Sequence, residues 1–255
     1  MGRVQRYKLF GIWIFIGVCW GIVPPAGSYA ARPLVTEDTD TVEKGTTEVE
    51  IAFETAREEN RDKYYIPSLQ VAYGLTERIE IAAGVPYIFL EPHEDSRING
   101  LGDAYAYLKY RVWGEGKKYP AFTIKPFVKF PTASEERGLG SGKADLGMTA
   151  VFGKSFPGFN LYFDGTYVLI GEKNIPDEMS VGLAGEFEII KRLNLVSEIR
   201  YGNNFNAAQT DDPATFVVGL TAGVGMAVFD AAVTLGLNHA APDYIFTVGV
   251  TLQFK

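Results

Sequence analysis

Charged side chains recur at every second position along much of this chain. Lys109 and Arg111 flank Tyr110, Lys125 and Lys129 stand four apart, and Glu48, Glu50 and Glu54 keep the same parity, as do Glu186 and Glu188. At a period of two, such residues project from one face of an extended strand. Lys109, Arg111, Lys125, Lys129 and Lys143 form a basic group. Glu48, Glu50, Glu54, Glu186, Glu188 and Glu198 form an acidic one, with Glu80, Asp103, Asp145, Asp164 and Arg200 mixed between them. Facing each other across an enclosed lumen, the two groups would set a transverse field that orients and selects polar solutes. The alternative is that they pair across a narrow barrel and close it.

Residues for covalent or metal chemistry are sparse. His93 sits beside Glu91, Glu94 and Asp95, which reads as a solvated acidic loop, and without a second His or a Cys nearby there is no transition-metal spacing. Asn238-His239 is the one place for the Ser/His/Asn set of an outer-membrane lipase. No serine follows within two positions, and the only outward serine, Ser197, flanks a different loop with no orienting group. Gly138 to Gly142 lies in a long loop with no helix after it to hold a phosphate. No catalytic, metal or cofactor residue is assigned, and an enzyme is not expected.

The elements that must carry the charges follow from the same alternation. Twelve strands are expected, around Val49–Phe53, Leu69–Tyr73, Ile79–Tyr87, Ala104–Val112, Phe122–Phe130, Leu146–Phe152, Phe159–Tyr167, Val181–Ile189, Leu193–Tyr201, Phe216–Met226, Val233–Leu237 and Tyr244–Phe254. Within them no charge falls on the apolar parity. Short connections (Leu75 to Glu77, Gly114 to Tyr119, Lys154 to Gly158, Lys191-Arg192, Phe229-Asp230) alternate with longer ones richer in charge, Gly, Asn or Pro (Ala56 to Tyr64, Glu91 to Leu101, Thr132 to Gly142, Gly171 to Asp177, Gly202 to Pro213, His239 to Asp243). Periplasmic turns and external loops of a transmembrane β-barrel differ in this way. Tyr64, Tyr65, Phe89, Trp113, Tyr119, Phe130, Phe156, Phe159, Tyr201 and Tyr244 fall at strand ends, as interfacial girdles require. A soluble sandwich or lipocalin-like barrel would bury the apolar parity instead. Val217 to Leu237 carries only Asp230 and could pass for a membrane helix, but its four glycines favour two strands turning at Phe229-Asp230.

The chain ends fit export. Arg3, Arg6 and Lys8 precede an apolar run from Leu9 to Val23, shorter than the ~20 residues of a spanning helix. Ser28-Tyr29-Ala30 offers a cleavage site between Ala30 and Ala31, so 1–30 reads as a signal peptide, 31–45 as a periplasmic N-terminal lead, and 46–255 as the barrel. Asp38, Asp40 and Glu43 look like a disordered acidic lead. Cleavage removes Cys19, the only cysteine, and takes the net charge from −7 to −10. A disulfide scaffold and nucleic-acid binding are thereby disfavoured.

Tyr73-Gly74-Leu75-Thr76-Glu77-Arg78-Ile79-Glu80, Gly100-Leu101-Gly102-Asp103 leading into Leu108-Lys109-Tyr110-Arg111, and the strand end Phe130-Pro131-Thr132 resemble the outer-membrane transporter family associated with the MetA-pathway of phenol degradation. The likeness runs from about Pro67 to Phe254 and implies a pore for small, including aromatic, molecules. Phe254 is similar to the terminal aromatic that barrel-assembly machinery reads, although Lys255 follows it. The expectation is an all-β, up-and-down antiparallel barrel in the outer membrane of a Gram-negative-type envelope, surrounded by lipid and passing small-molecule solutes. A closed structural or adhesion barrel and an outer-membrane lipid hydrolase are the alternatives.

Overall fold

The computed structural model describes residues 32–57, 63–91, 97–173, 175–203 and 212–255. Among these there is no helix; thirteen strands form one antiparallel sheet. They are β1 (Thr47–Arg57), β2 (Lys63–Thr76), β3 (Ile79–Glu91), β4 (Ile98–Leu101), β5 (Tyr105–Trp113), β6 (Ala121–Lys129), β7 (Asp145–Phe156), β8 (Phe159–Leu169), β9 (Glu178–Ile190), β10 (Leu193–Gly202), β11 (Ala214–Val224), β12 (Ala227–Gly236) and β13 (Tyr244–Phe254). β1 pairs with β13 from Thr47↔Phe254 to Arg57↔Tyr244, and with β2 on its other edge, so the sheet closes on itself.

The closed wall has twelve positions, as the alternation predicts. The extra strand arises because β4 and β5 share one position. β3 pairs with β5 through Ile79–Gly84 and with β4 through Tyr87–Leu90. The expected loop from Glu91 to Leu101 therefore contributes wall. Gly102-Asp103-Ala104 interrupts this position opposite Pro86, which has no N–H to give to a ladder.

Burial follows parity in the sense opposite to a soluble barrel. Ile51, Phe163, Leu183, Ile199 and Val248 are exposed on the outer face, whereas Glu48, Glu80, Lys109 and Glu198 are buried inside. An apolar outer surface running around the whole wall far exceeds the few hundred Å² typical of a water-facing monomer. Rows of contacting rings, stacked except for the tilted Trp113–Phe122 pair, extend the outer face toward the short turns, as in Trp113–Phe122–Phe152 and Phe156–Phe159–Phe187. Trp113 donates its indole N–H to the Pro120 carbonyl (3.0 Å), and at the opposite end Tyr167 and Tyr201 donate to Asp177 (2.7 Å) and Asp212 (2.6 Å). Each places the polar tip of an outward ring toward a turn or loop. Tyr64 departs from the expected girdle: it points inward and is buried.

The apolar stretch from Val217 to Leu237 forms β11 and β12, but their turn is Gly225-Met226, not Phe229-Asp230. Gly225 takes φ +64°, a conformation that favours glycine in a two-residue hairpin. Asp230 consequently lies within β12 and faces the lumen.

Candidate functional site

Residues 32–44 lie inside the barrel, which corrects the expectation of a disordered acidic lead ahead of it. The chain turns at the short-turn end, where Gly45 (φ +79°) donates its N–H to the Gly74 carbonyl at 2.8 Å. Gly74 allows this crossing, since a Cβ there would overlap the carbonyl oxygens of Val42 and Glu43. The strap then runs around the inner wall. Val42 donates its N–H to Glu80 on β3 (2.8 Å), and Thr123 on β6 donates its hydroxyl to the Thr39 carbonyl (2.7 Å). Glu37 donates its N–H to Asp164 on β8 (3.1 Å), and Val35 and Thr36 donate theirs to Glu198 on β10 (2.8 and 2.6 Å). Arg32 ends the path in a buried ion pair with Asp230 on β12 (3.1 Å).

The strap's charges complement the wall they meet. Its carboxylates face the basic group: Asp38 binds Lys109 at 2.7 Å, Glu37 binds Lys125, with Lys109 at 3.5 Å, and Asp40 binds Arg111 at 2.7 Å. Its N–H groups and Arg32 face the acidic wall. Each strap carboxylate buried alone would cost several kcal/mol, so complementarity is a condition for occupying this layer. The apolar strap residues have seats too. Val42 packs with Ala72, Ala82, Tyr105 and Tyr107, and Leu34 with Tyr162, Ala184, Val196, Val217 and Ala232.

Most residues nominated from sequence do face the lumen. Glu48, Glu50, Glu80, Asp103, Lys109, Lys125, Asp145, Asp164, Glu186 and Glu198 are buried there, with Arg111, Lys129 and Arg200 partly so. Some pair within the wall. Arg200 bridges Asp164 (2.7 Å) and Glu198 (3.4 Å), and Lys129 bridges Asp103 (3.1 Å) and Asp145 (2.8 Å). Glu186 accepts from the Asn160 and Asn194 amides, and Glu48 from Gln253. Two residues do not join them. Lys143 is exposed in the loop before β7, and Glu188 is exposed near the Lys191-Arg192 turn. Lys154, expected in a turn, stands on the outward parity at the end of β7, where it pairs with Glu115 (2.6 Å).

The residues missed are the strap's own Arg32, Glu37, Asp38 and Asp40, together with Asp230. The displaced turn hid Asp230. Its even parity with Val228 and Ala232, counted back from Leu235, would have placed it inside.

Toward the long loops the lumen changes character. Ala56, Tyr64, Ile66, Ile88, Leu90 and Ile245 form an apolar inner cluster, into which the loop after β6 inserts Leu139. Thr215, Thr234 and Thr247 are buried on the strands that continue the wall from Ile245. Above the strap the inner wall is thus apolar on one side, packed around Leu139, and hydroxyl-bearing on the other.

No catalytic set assembles at the places considered. His239 is exposed, and Asn238 is engaged structurally, donating to the Asp212 carbonyl (2.7 Å) and accepting from the Ala214 N–H (3.4 Å). Ser197 faces outward in mid-strand, paired with Val218 and Gly185. Among the described residues no acidic or histidine cluster is arranged to hold a metal ion. His93 and the Ala30/Ala31 cleavage site lie outside the described residues.

The fold is similar to those of solved outer-membrane proteins. The COG4313 outer membrane channel from Pseudomonas putida F1 superposes with a TM-score of 0.68 at 14% identity, covering 85% of this chain and 98% of that one. The KdgM porin in complex with disordered oligogalacturonate gives 0.56 at 10% identity, covering 81% and 99%. The β domain of the Bordetella autotransporter BrkA gives 0.53 at 11%, covering 83% and 100%. No curated protein matches the sequence. The family model described as MetA-pathway of phenol degradation matches residues 30–254, spanning every strand and the strap, and the chain belongs to that family.

Proposed function

We propose that this chain is an outer-membrane channel for small solutes, held closed at rest by its own N-terminal strap. The observation that carries the reading is the pairing of Lys109, Lys125 and Arg111 with carboxylates of the strap. A barrel built only as a scaffold would need no separate peptide to neutralise its inner wall. One closed by a strap regains an open, charged lumen when the strap leaves. The apolar outer face fits lipid, the short-turn end fits the periplasm, and Phe254, at the β1–β13 seam, fits a signal for barrel-assembly machinery. Leader removal between Ala30 and Ala31 would free the strap to fold inward.

The apolar inner cluster toward the long loops supports small aromatic or otherwise apolar compounds as the favoured solutes, and the family association points the same way. The inward charges would tune which ions and polar solutes accompany them. The test is planar-bilayer conductance of the processed protein beside a variant lacking residues 32–44. Rare, small openings in the first and large, steady ones in the second support the channel. Silence in both would favour a closed structural barrel. Equal, large conductance in both would remove the strap from the account.

A further inference from the structure

The short turns from β5 to β6, β7 to β8 and β9 to β10 stand side by side, and their charge is one-sided. Lys117, Lys118, Lys191 and Arg192 are exposed there, and among the described residues none of the four is ion-paired. Lys154 adds a fifth cation, held by Glu115, and Glu188 is the other carboxylate on this arc. Around the rest of the short-turn end the charges nearly cancel: Lys44, Arg78 and Lys255 stand against Glu43 and Glu77, and Lys255 bonds Glu43 (2.9 Å). Arg192 also holds φ +68°, a conformation costly for any residue with a β-carbon. The β7–β8 and β11–β12 turns place glycine in it, Gly158 and Gly225. At the β9–β10 turn no side-chain bond among the described residues offsets the cost of an arginine. The same arc carries both rows of outward rings, Trp113–Phe122–Phe152 and Phe156–Phe159–Phe187.

We propose that this arc of the rim binds anionic phospholipid of the periplasmic leaflet, with Lys117, Lys118, Lys191 and Arg192 on the headgroup phosphate and the ring rows along the acyl chains. The proposal rests on the membrane placement of the barrel and names the lipid that this face selects. Neighbouring strands are about 4.8 Å apart, so the five steps from β5 to β10 span about 24 Å, wide enough for more than one headgroup. The rings grip any acyl chain and place the site at headgroup level, but they do not discriminate between lipids. Selection comes from the cations. A zwitterionic headgroup carries its own ammonium, which four unpaired cations repel, whereas a headgroup of net negative charge is drawn to them. Lysine stems can lie along the rings while their ammonium groups reach the phosphate plane. The Arg192 fork fits two phosphate oxygens at once, a bond that glycine at this turn cannot make. A soluble anion would use the cations and leave the rings beneath them without a role; the coincidence of both on one arc points to a lipid.

The experiment uses the full-length chain carrying Trp13→Phe and Trp20→Phe, which leaves Trp113 as its only tryptophan. The protein is placed in phosphatidylcholine vesicles at low ionic strength. The same small fraction of dibrominated phosphatidylglycerol or dibrominated phosphatidylcholine is included, and bromine quenches Trp113 according to how often that lipid lies beside it. The expected result is a local preference of about fivefold for phosphatidylglycerol, the effect of one engaged cation. Lys117→Gln, Lys118→Gln, Lys191→Gln and Arg192→Gly combined should abolish the preference and leave quenching by brominated phosphatidylcholine unchanged; the last substitution also suits the turn. Equal quenching of the parent by the two lipids overturns the site and leaves the membrane placement standing. A preference that survives the combined variant also overturns it, because other groups then select the lipid. Absence of quenching by either lipid overturns the site and the lipid contact of this face together.

Discussion

Lys109 Nζ and Asp38 Oδ1 meet at 2.7 Å with both side chains wholly buried, although the residues are 71 apart in sequence. One belongs to the wall and the other to the strap, so the contact exists only while the strap is seated. Buried pairs of this kind contribute little net stability over an apolar substitute, but are costly to break from one side. That asymmetry suits a part that must sit in one register and still be removable as a unit.

Replacing Lys109 with Met should therefore unseat the strap without unfolding the barrel. The loss is of order 3–5 kcal/mol, the usual cost of leaving a buried carboxylate without its partner. The strap should become cleavable by added protease while the heat-modifiable gel mobility of the folded barrel is kept. Adding Asp38→Asn should restore much of the protection. A single variant as resistant as the parent would show that Lys109 does not hold the strap.

Gly74→Val tests the entry point. Its side chain would occupy the space of the Val42 and Glu43 carbonyls, and the strap must move for it to fit. The Val42 N–H bond to Glu80 should break, and steady conductance should rise toward that of the variant lacking 32–44. Gly165→Val is the control, because nothing lies within 4 Å of a Cβ there. Equal behaviour of the two variants would place the strap's constraint elsewhere.

The turn between β5 and β6 predicts a pH dependence outside the barrel wall. Partial burial pushes the Glu115 carboxyl up, but hydrogen bonds from Lys154 and Ser155 outweigh it and hold the group below the usual carboxylate range. A depressed value means that the latch is fully formed above the ordinary carboxylate range and is lost as pH falls through the lowered value. Exchange of the Ser155 amide, compared between the parent and Glu115→Gln, should converge only under acid conditions. Identical exchange at neutral pH would show that the latch is unformed.

The wall was legible because a period of two assigns inside and outside residue by residue, and lipid permits few exceptions. Lys109 and Lys125 could therefore be assigned to the inner face without knowledge of any partner, and both are buried there. The strap was not legible. Asp38, Asp40 and Glu43 have the composition of a solvated tail, and only the wall opposite them turns that composition into complementarity. β4 was missed because its four residues, Ile98–Leu101, contain two turn-like ones, Asn99 and Gly100, and owe their extended form to β3. Asp230 was lost to a turn misplaced by a few residues, since Gly225-Met226 and Phe229-Asp230 both interrupt an otherwise apolar run.

The basic group should show itself once the strap is gone. In the seated state Glu37 engages Lys125, and Asp103 and Asp145 engage Lys129, so neither lysine offers a free charge to a passing ion. Removing residues 32–44 takes away the strap carboxylates that face Lys125, Lys109 and Arg111, leaving a more positive stripe on β5 and β6. The strapless protein should then prefer anions along that side, read as the reversal potential in a salt gradient. Lys125→Glu with Lys129→Glu in the same background should shift the reversal potential toward cations. In the strapped protein the pair of substitutions should act mainly by repelling Glu37 and raising the open fraction, with a smaller change in selectivity per opening. An unchanged reversal potential in the strapless background would mean that the stripe does not line the conducting path, even if the strap controls it.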